Sequence, residues 1–167
     1  EKPFEGLRVL LVGGEAPTPD AIERMPLLER VLFETMRFYP PVWLLARHAR
    51  ADTTLLGFRV PAGTLAWAPP FFVHRNPAHW DEPEAFRPDR FLPAAVERRH
   101  RHAYLPFGAG PRMCIGARFA TLEARLALVL VLQRFRVRPA DDAPLELEGS
   151  FGLRSRRGLP VQLERVR

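Results

Sequence analysis

The chain has 167 residues, enough for one domain with a sizeable core, and its 47% hydrophobic content excludes a disordered polymer. Its net charge of +6 rests almost wholly on arginine, since Lys2 is the only lysine, and no stretch reaches the roughly 18 uninterrupted apolar residues of a membrane span, the longest run being Leu126 to Leu132. The single cysteine, Cys114, excludes an internal disulfide and is either a small buried side chain or a thiol kept for chemistry.

Residues Glu1 to Leu11 lack the basic segment, apolar run and small-residue cleavage site of a secretory leader, so a cytoplasmic location is expected. Eighteen prolines then divide the chain unevenly, and no internal repeat is present. After Pro26, which suits a first helical turn, Leu28, Val31, Leu32, Thr35 and Met36 recur at helical spacing until Pro40 and Pro41 stop the run. Thr53 to Leu56, Phe58 to Val60 and Thr64 to Ala68 are short β-prone runs separated by Gly57 and by Pro61-Ala62-Gly63, and they predict a small antiparallel sheet. From Pro69 to Gly110 periodicity fades, and repeated prolines exclude a long helix. A connection of that length tends to be functional. Ala117 to Arg134 reads as a helix with apolar residues around its later turns, as expected of one buried on most sides. Phe135 to Arg138 and Val161 to Val166 read as strands, with Gly149 to Gly158 as a loop between them.

Arginine scattered over a surface is ordinarily a solvated face. No finger, stacking-aromatic or helix-turn-helix pattern supports a nucleic-acid partner, and an acidic protein partner suits the charge better. Phe107-Gly108-Ala109-Gly110-Pro111-Arg112-Met113-Cys114-Ile115-Gly116 packs three glycines and a proline around the cysteine, directly before the long helix. Glycines permit positive φ and let another group approach the main chain closely. A thiolate ahead of a helix gains from the dipole and from free amide donors, and hydrogen bonds to a ligating sulfur tune a metal. Taken alone, though, a lone cysteine is a common small core residue.

At Phe107, Gly110, Arg112, Cys114 and Gly116 the segment resembles the haem loop of the cytochrome P450 family at every fixed position. The resemblance implies Cys114 as axial thiolate to the iron of haem b (iron protoporphyrin IX), a Phe107 ring beside the sulfur, and an Arg112 contact to one propionate. Gly108 belongs to the same cofactor-binding loop. Glu34-Thr35-Met36-Arg37 resembles the family's Glu-x-x-Arg helix motif, and Phe86-Arg87-Pro88-Asp89-Arg90-Phe91 its Pro-Glu-Arg-Phe segment, with Asp89 in the glutamate position. Glu34, Arg37 and Arg90 would then form a structural charged triad. Without the resemblance, Glu34 and Arg37 fall away from the Leu28, Leu32 and Met36 stripe and read as a solvated ion pair, with Arg30 as a rival partner for Glu34.

By the same resemblance Arg47 contacts the other propionate, while its plain reading is a solvent residue at a strand end. Planar guanidinium forks suit two carboxylates. His74-Arg75-Asn76-Pro77 resembles the family's His-Arg-Asp-Pro turn, with Asn76 in place of aspartate, and carries no chemical assignment. Val42 to Ala46 and the loop around Phe151 to Leu153 would face an apolar small-molecule substrate, or else simply pack a core. Glu97 to His102 offers a basic surface to a ferredoxin-like or flavin reductase electron donor, or is a solvated charge run.

The family's distal helix, with an acid next to a threonine for handling O2, has no match. Gly13 to Thr18 has related letters, but its acid and threonine are not adjacent and Pro17 and Pro19 oppose a helix. The expectation is therefore a mainly α fold with small β-sheets over residues 1–167, equivalent to the C-terminal part of the cytochrome P450 fold without that helix. Exposed apolar surface on the long helix should result. The function expected by resemblance is a haem-thiolate monooxygenase. Its rivals are a non-catalytic haem-binding fragment and a basic binding module whose cysteine is merely buried.

Overall fold

The computed structural model describes residues 17–166. The leader and location reading of Glu1 to Leu11, and most of Gly13 to Thr18, lie outside them. Proline opens almost every helical element. Its fixed φ suits the first turn and its missing N–H is one the helix leaves unpaired anyway. Pro19 begins helix α1 (Pro19–Glu23), capped by Thr18, whose Oγ1 accepts the Ala21 N–H. The expectation that Pro19 opposes a helix is thus overturned. Helix α2 spans Pro26–Phe38, α3 Pro70–Val73 and α4 Pro93–Arg98, with a 3-10 turn at Pro88–Phe91. Helix α5 spans Ala117–Arg134 and ends where the chain extends into a strand.

All four sheets among the described residues are antiparallel pairs. Strands β2 (Thr53–Leu55) and β3 (Phe58–Val60) form one hairpin. The sequence predicts that strand β4 (Leu65–Ala68) joins this hairpin in one sheet; instead it pairs with β1 (Leu45–His48), Leu45 opposite Ala68. The three predicted β-runs therefore belong to two sheets. Strand β5 (Phe135–Pro139) pairs with β8 (Val161–Arg165). The stretch read as a loop between them carries a hairpin, β6 (Leu147–Gly149) with β7 (Leu153–Ser155).

Two apolar clusters hold these pieces. Met25 and Leu28 pack with Val129, which joins α2 to α5. Trp80, Phe91 and Ala103, with Phe33 and Tyr104, join α2 to the irregular middle. In the second cluster the Phe91 and Tyr104 rings meet edge to face at 4.9 Å, a favoured aromatic geometry. Helix α5 is less covered than its sequence predicts. Val129 is its one fully buried apolar residue, while Phe119 and Val131 are exposed. The expected apolar exposure on this helix is present.

Candidate functional site

Around Glu34 and Arg37 the plain helical-wheel reading fails. Both side chains are 0% exposed, because the 3-10 turn and the loop before it cover that side of α2. Arg37 donates Nε to Glu34 Oε2 at 2.7 Å and Nη2 to Oε1 at 3.0 Å, a bidentate pair. Its other three N–H groups go to the carbonyls of His74 and Pro83, each at 2.8 Å, and of Ala85 at 3.2 Å. All five guanidinium donors are thus used, the condition under which a buried charge is tolerated. Glu34 Oε1 also accepts the Arg87 backbone N–H at 2.7 Å. Arg90 approaches that oxygen with Nε at 3.5 Å as an ion pair, and donates Nη2 to the Glu82 carbonyl at 2.7 Å. Burial lowers the Arg90 pKa from its usual value, and the Glu34 charge opposes this. Arg30 is no rival for Glu34, since it pairs with Asp89 at 2.8 Å.

This knot explains how a segment with little regular structure holds one shape. A single helical arginine gathers three carbonyls from the 74–85 stretch, so backbone groups that would otherwise lack partners are satisfied there. Arg99, in the basic run, is also drawn inward. It lies over the Trp80 and Phe91 rings at 4.6 and 4.7 Å and donates Nη1 to the Arg90 carbonyl. Arg98 and Arg101 remain exposed.

The cysteine loop is open by contrast. Cys114 is exposed, which removes the reading of a buried structural thiol. The Cys114 N–H donates to the Phe107 carbonyl at 3.0 Å, and the Met113 N–H to the Gly110 carbonyl at 3.0 Å, closing a tight turn beneath the sulfur. Gly108 and Gly110 take φ of 75° and 72°, values that side-chain-bearing residues rarely adopt. Gly116 does not; it is the N-cap of α5 at φ −87°, and a Cβ there would make only ordinary contact with Cys114 Sγ at 3.9 Å. Met113 is exposed and Ile115 wholly so, and both flank the thiol in an apolar shelf.

Leu45 of β1 reaches the loop, its Cδ1 standing 3.9 Å from a Cβ built on Gly108. Side chains two apart on a strand share a face, so Arg47 leaves β1 on the side of the loop. Arg47 donates only to the neighbouring Ala46 carbonyl, and Arg112 makes no ion pair among the described residues. Both are exposed. An exposed thiol, an apolar shelf and two cations without carboxylate partners fit a flat apolar group carrying a metal and two carboxylates. Among the described residues no three His, Cys, Asp or Glu side chains converge.

The two segments expected to face substrate are brought together. Trp43 Nε1 donates to the Ser150 carbonyl at 2.9 Å, and the Leu153 N–H to the Pro41 carbonyl at 2.9 Å. Trp43 lies so close over Gly149 that a Cβ there would stand 2.8 Å from the ring. Phe151, at the hairpin tip, is fully exposed. Sequence reasoning missed His74, which is buried with its imidazole Nε2 accepting the Leu105 N–H at 2.7 Å. Only the place of His74 in the His-Arg-Asn-Pro turn marked it.

Residues 5–160 match the family model described as Cytochrome P450. Thromboxane-A synthase of Mus musculus is 39% identical over 90% of this chain and 29% of its own length. Cytochrome P450 3A29 of Sus scrofa is 44% identical over 79% of this chain and 26% of its own length. The crystal structure of the cytochrome P450DA heme domain superposes with a TM-score of 0.91 at 32% identity, covering 98% of this chain and 36% of that one. The chain thus spans between 26% and 36% of the length of these three proteins. Among the described residues no helix is long and apolar enough to cross a membrane.

Proposed function

The chain belongs to the cytochrome P450 family, and from that premise we propose that it is the haem-binding part of a haem-thiolate monooxygenase, in which Cys114 would hold the iron of haem b as its thiolate ligand. The observation that carries this reading is the exposed Cys114 thiol on a turn shaped by two positive-φ glycines. When bound, haem would supply the oxygen chemistry, in which two electrons and two protons accompany the transfer of one atom of O2 to an apolar substrate and the release of the other as water.

The chain's own residues set the conditions for that chemistry. Cys114 holds the anionic sulfur, its backbone tethered to Phe107 so that the loop does not relax away from the metal. Arg112 from the loop and Arg47 from β1 would hold the two propionates through charge-assisted hydrogen bonds. Val42 and Phe151, on segments tied by the Trp43 and Leu153 hydrogen bonds, give the substrate an apolar wall. Glu34, Arg37 and Arg90 act at a distance, fixing the middle region that delivers the chain to the loop.

The reduced carbon monoxide complex tests the ligand. The haem-loaded chain should show the strongly red-shifted Soret band of thiolate ligation, and Cys114→Ser should abolish it. A red-shifted band surviving in the serine variant would overturn the assignment. Binding without turnover by this chain alone is a second reading. Turnover with a reductase supplied, compared between this chain and a longer version, separates the two.

Electrons would arrive from NAD(P)H through an acidic ferredoxin-like or flavin-containing donor at the exposed Arg98 and Arg101. Reversing both to glutamate should slow electron delivery at low salt and lose its effect at high salt. Transfer rates independent of both substitution and salt would refute that surface.

A further inference from the structure

His74 stands where the charged knot meets the approach to the cysteine loop. Its backbone carbonyl accepts Arg37 Nη1 at 2.8 Å, and its imidazole Nε2 accepts the Leu105 N–H at 2.7 Å. Beyond Leu105 the hydrogen bonds continue toward the thiol. The Leu105 carbonyl accepts the Gly108 N–H at 3.1 Å, and the Phe107 carbonyl accepts the Cys114 N–H at 3.0 Å. One buried residue therefore links helix α2, through its backbone carbonyl, to the peptide that carries the ligand, through its imidazole.

An acceptor at Nε2 requires the neutral ring with its proton on Nδ1. Nδ1 is buried without a hydrogen bond of acceptable geometry, although the carbonyls of Met36 and Arg37 lie beside the ring. The charged groups facing His74 are Arg37, held by Glu34, and Arg75. The Tyr104 ring covers the imidazole at 5.2 Å. Burial and then these two cations disfavour the imidazolium and bring the pKa down to about 4, the two carbonyls opposing. A lysine here would add a third cation, and an apolar ring would leave the Leu105 N–H without its acceptor.

We propose that His74 is a positioning residue for the haem ligand, its Nε2 holding Leu105 so that the chain enters the Phe107–Gly116 loop on the path that presents the Cys114 thiolate. The proposal rests on the haem-site reading given above. A merely space-filling histidine would be replaced equally well by phenylalanine. A positioning acceptor is replaced only by a side chain that offers an oxygen at the same place, which glutamine does.

The test compares His74→Phe with His74→Gln in the whole chain, with and without haem. Without haem, exchange of the Leu105 amide should be about tenfold or more faster in His74→Phe and close to the parent in His74→Gln, the size expected for one buried N–H losing its acceptor. With haem, the reduced carbon monoxide complex of His74→Phe should move intensity from the red-shifted band to that of neutral-thiol ligation, and His74→Gln should restore it. On acidification toward pH 4 the parent should lose the red-shifted band before His74→Gln does. Equal Leu105 exchange and equal thiolate share in the parent and His74→Phe would overturn the proposal. Should His74→Phe fail to fold, imidazole nitrogen shifts of the parent decide instead, with a proton on Nε2 counting against it. Absence of haem binding by the parent would defeat the haem reading alone, because Leu105 exchange in the haem-free chain still judges the His74 bond.

Discussion

The Glu34–Arg37 knot and the Cys114 loop lie on one chain and are built on opposite principles. In the knot every charge has its partners within the protein: five donors of one guanidinium meet a carboxylate and three carbonyls, and water is excluded. In the loop the backbone is tied but the side chains are not; the thiol, Met113, Ile115 and Arg112 are exposed, as is Arg47 on strand β1 beside it. A region that satisfies itself carries stability. A region whose backbone is fixed while its side chains lack partners is prepared for something else to bind, at little cost in reorganisation.

Substitutions that strip one region should therefore have effects the other does not show. Glu34→Ala or Arg37→Ala leaves an uncompensated buried charge and should cost about 3–5 kcal/mol in denaturant unfolding, and it should also prevent haem incorporation. An intact haem-thiolate spectrum in either variant would break the contrast. Next in size is a pH effect at His74. Its folded pKa of about 4 lies below the ordinary histidine value of 6.5, so the unfolded chain binds the extra proton first. The stabilising contribution is complete above pH 6.5 and is lost as pH falls toward 4, by about 3 kcal/mol in all. Chemical denaturation across that range should show the slope in the parent and not in His74→Gln.

Smaller effects belong to the exposed groups. Arg30→Ala removes the Arg30–Asp89 pair, whose aspartate is largely solvated, and should change stability by about 0.2–1 kcal/mol, less at high salt. Cys114→Ser, which removes the thiolate ligand altogether, should shift the stability of the haem-free chain by less than about 0.5 kcal/mol, as for an exposed residue away from the core. A large loss there would show the loop to be part of the core after all.

Much of the fold was legible because local signals are strong where the chain must cap or turn. Pro26 with a 3.6-residue apolar stripe marks α2, and the Leu55–Phe58 turn between β-prone runs marks its hairpin. Pairing partners were not legible. Nothing local in Leu45 to His48 says that it will pair with Leu65 to Ala68, since a segment as short and mixed as Leu-Ala-Arg-His suits helix, strand or loop until a partner arrives. The β6–β7 hairpin was hidden for the same reason, held by contacts with Pro41 and Trp43 more than a hundred residues away.

By itself the sequence determined the chemistry available at one point: a cysteine among glycines ahead of a helix, with the spacing of a haem loop, because backbone turns and cofactor ligation are specified by residues adjacent in the chain. Tertiary structure alone decided burial. Glu34 and Arg37 read as solvated on any helical wheel and are buried, and Cys114, which as a lone cysteine could equally be a small core residue, is exposed. Burial is a property of what packs over a residue. For these three that cover, or its absence, depends on distant segments that no local pattern records.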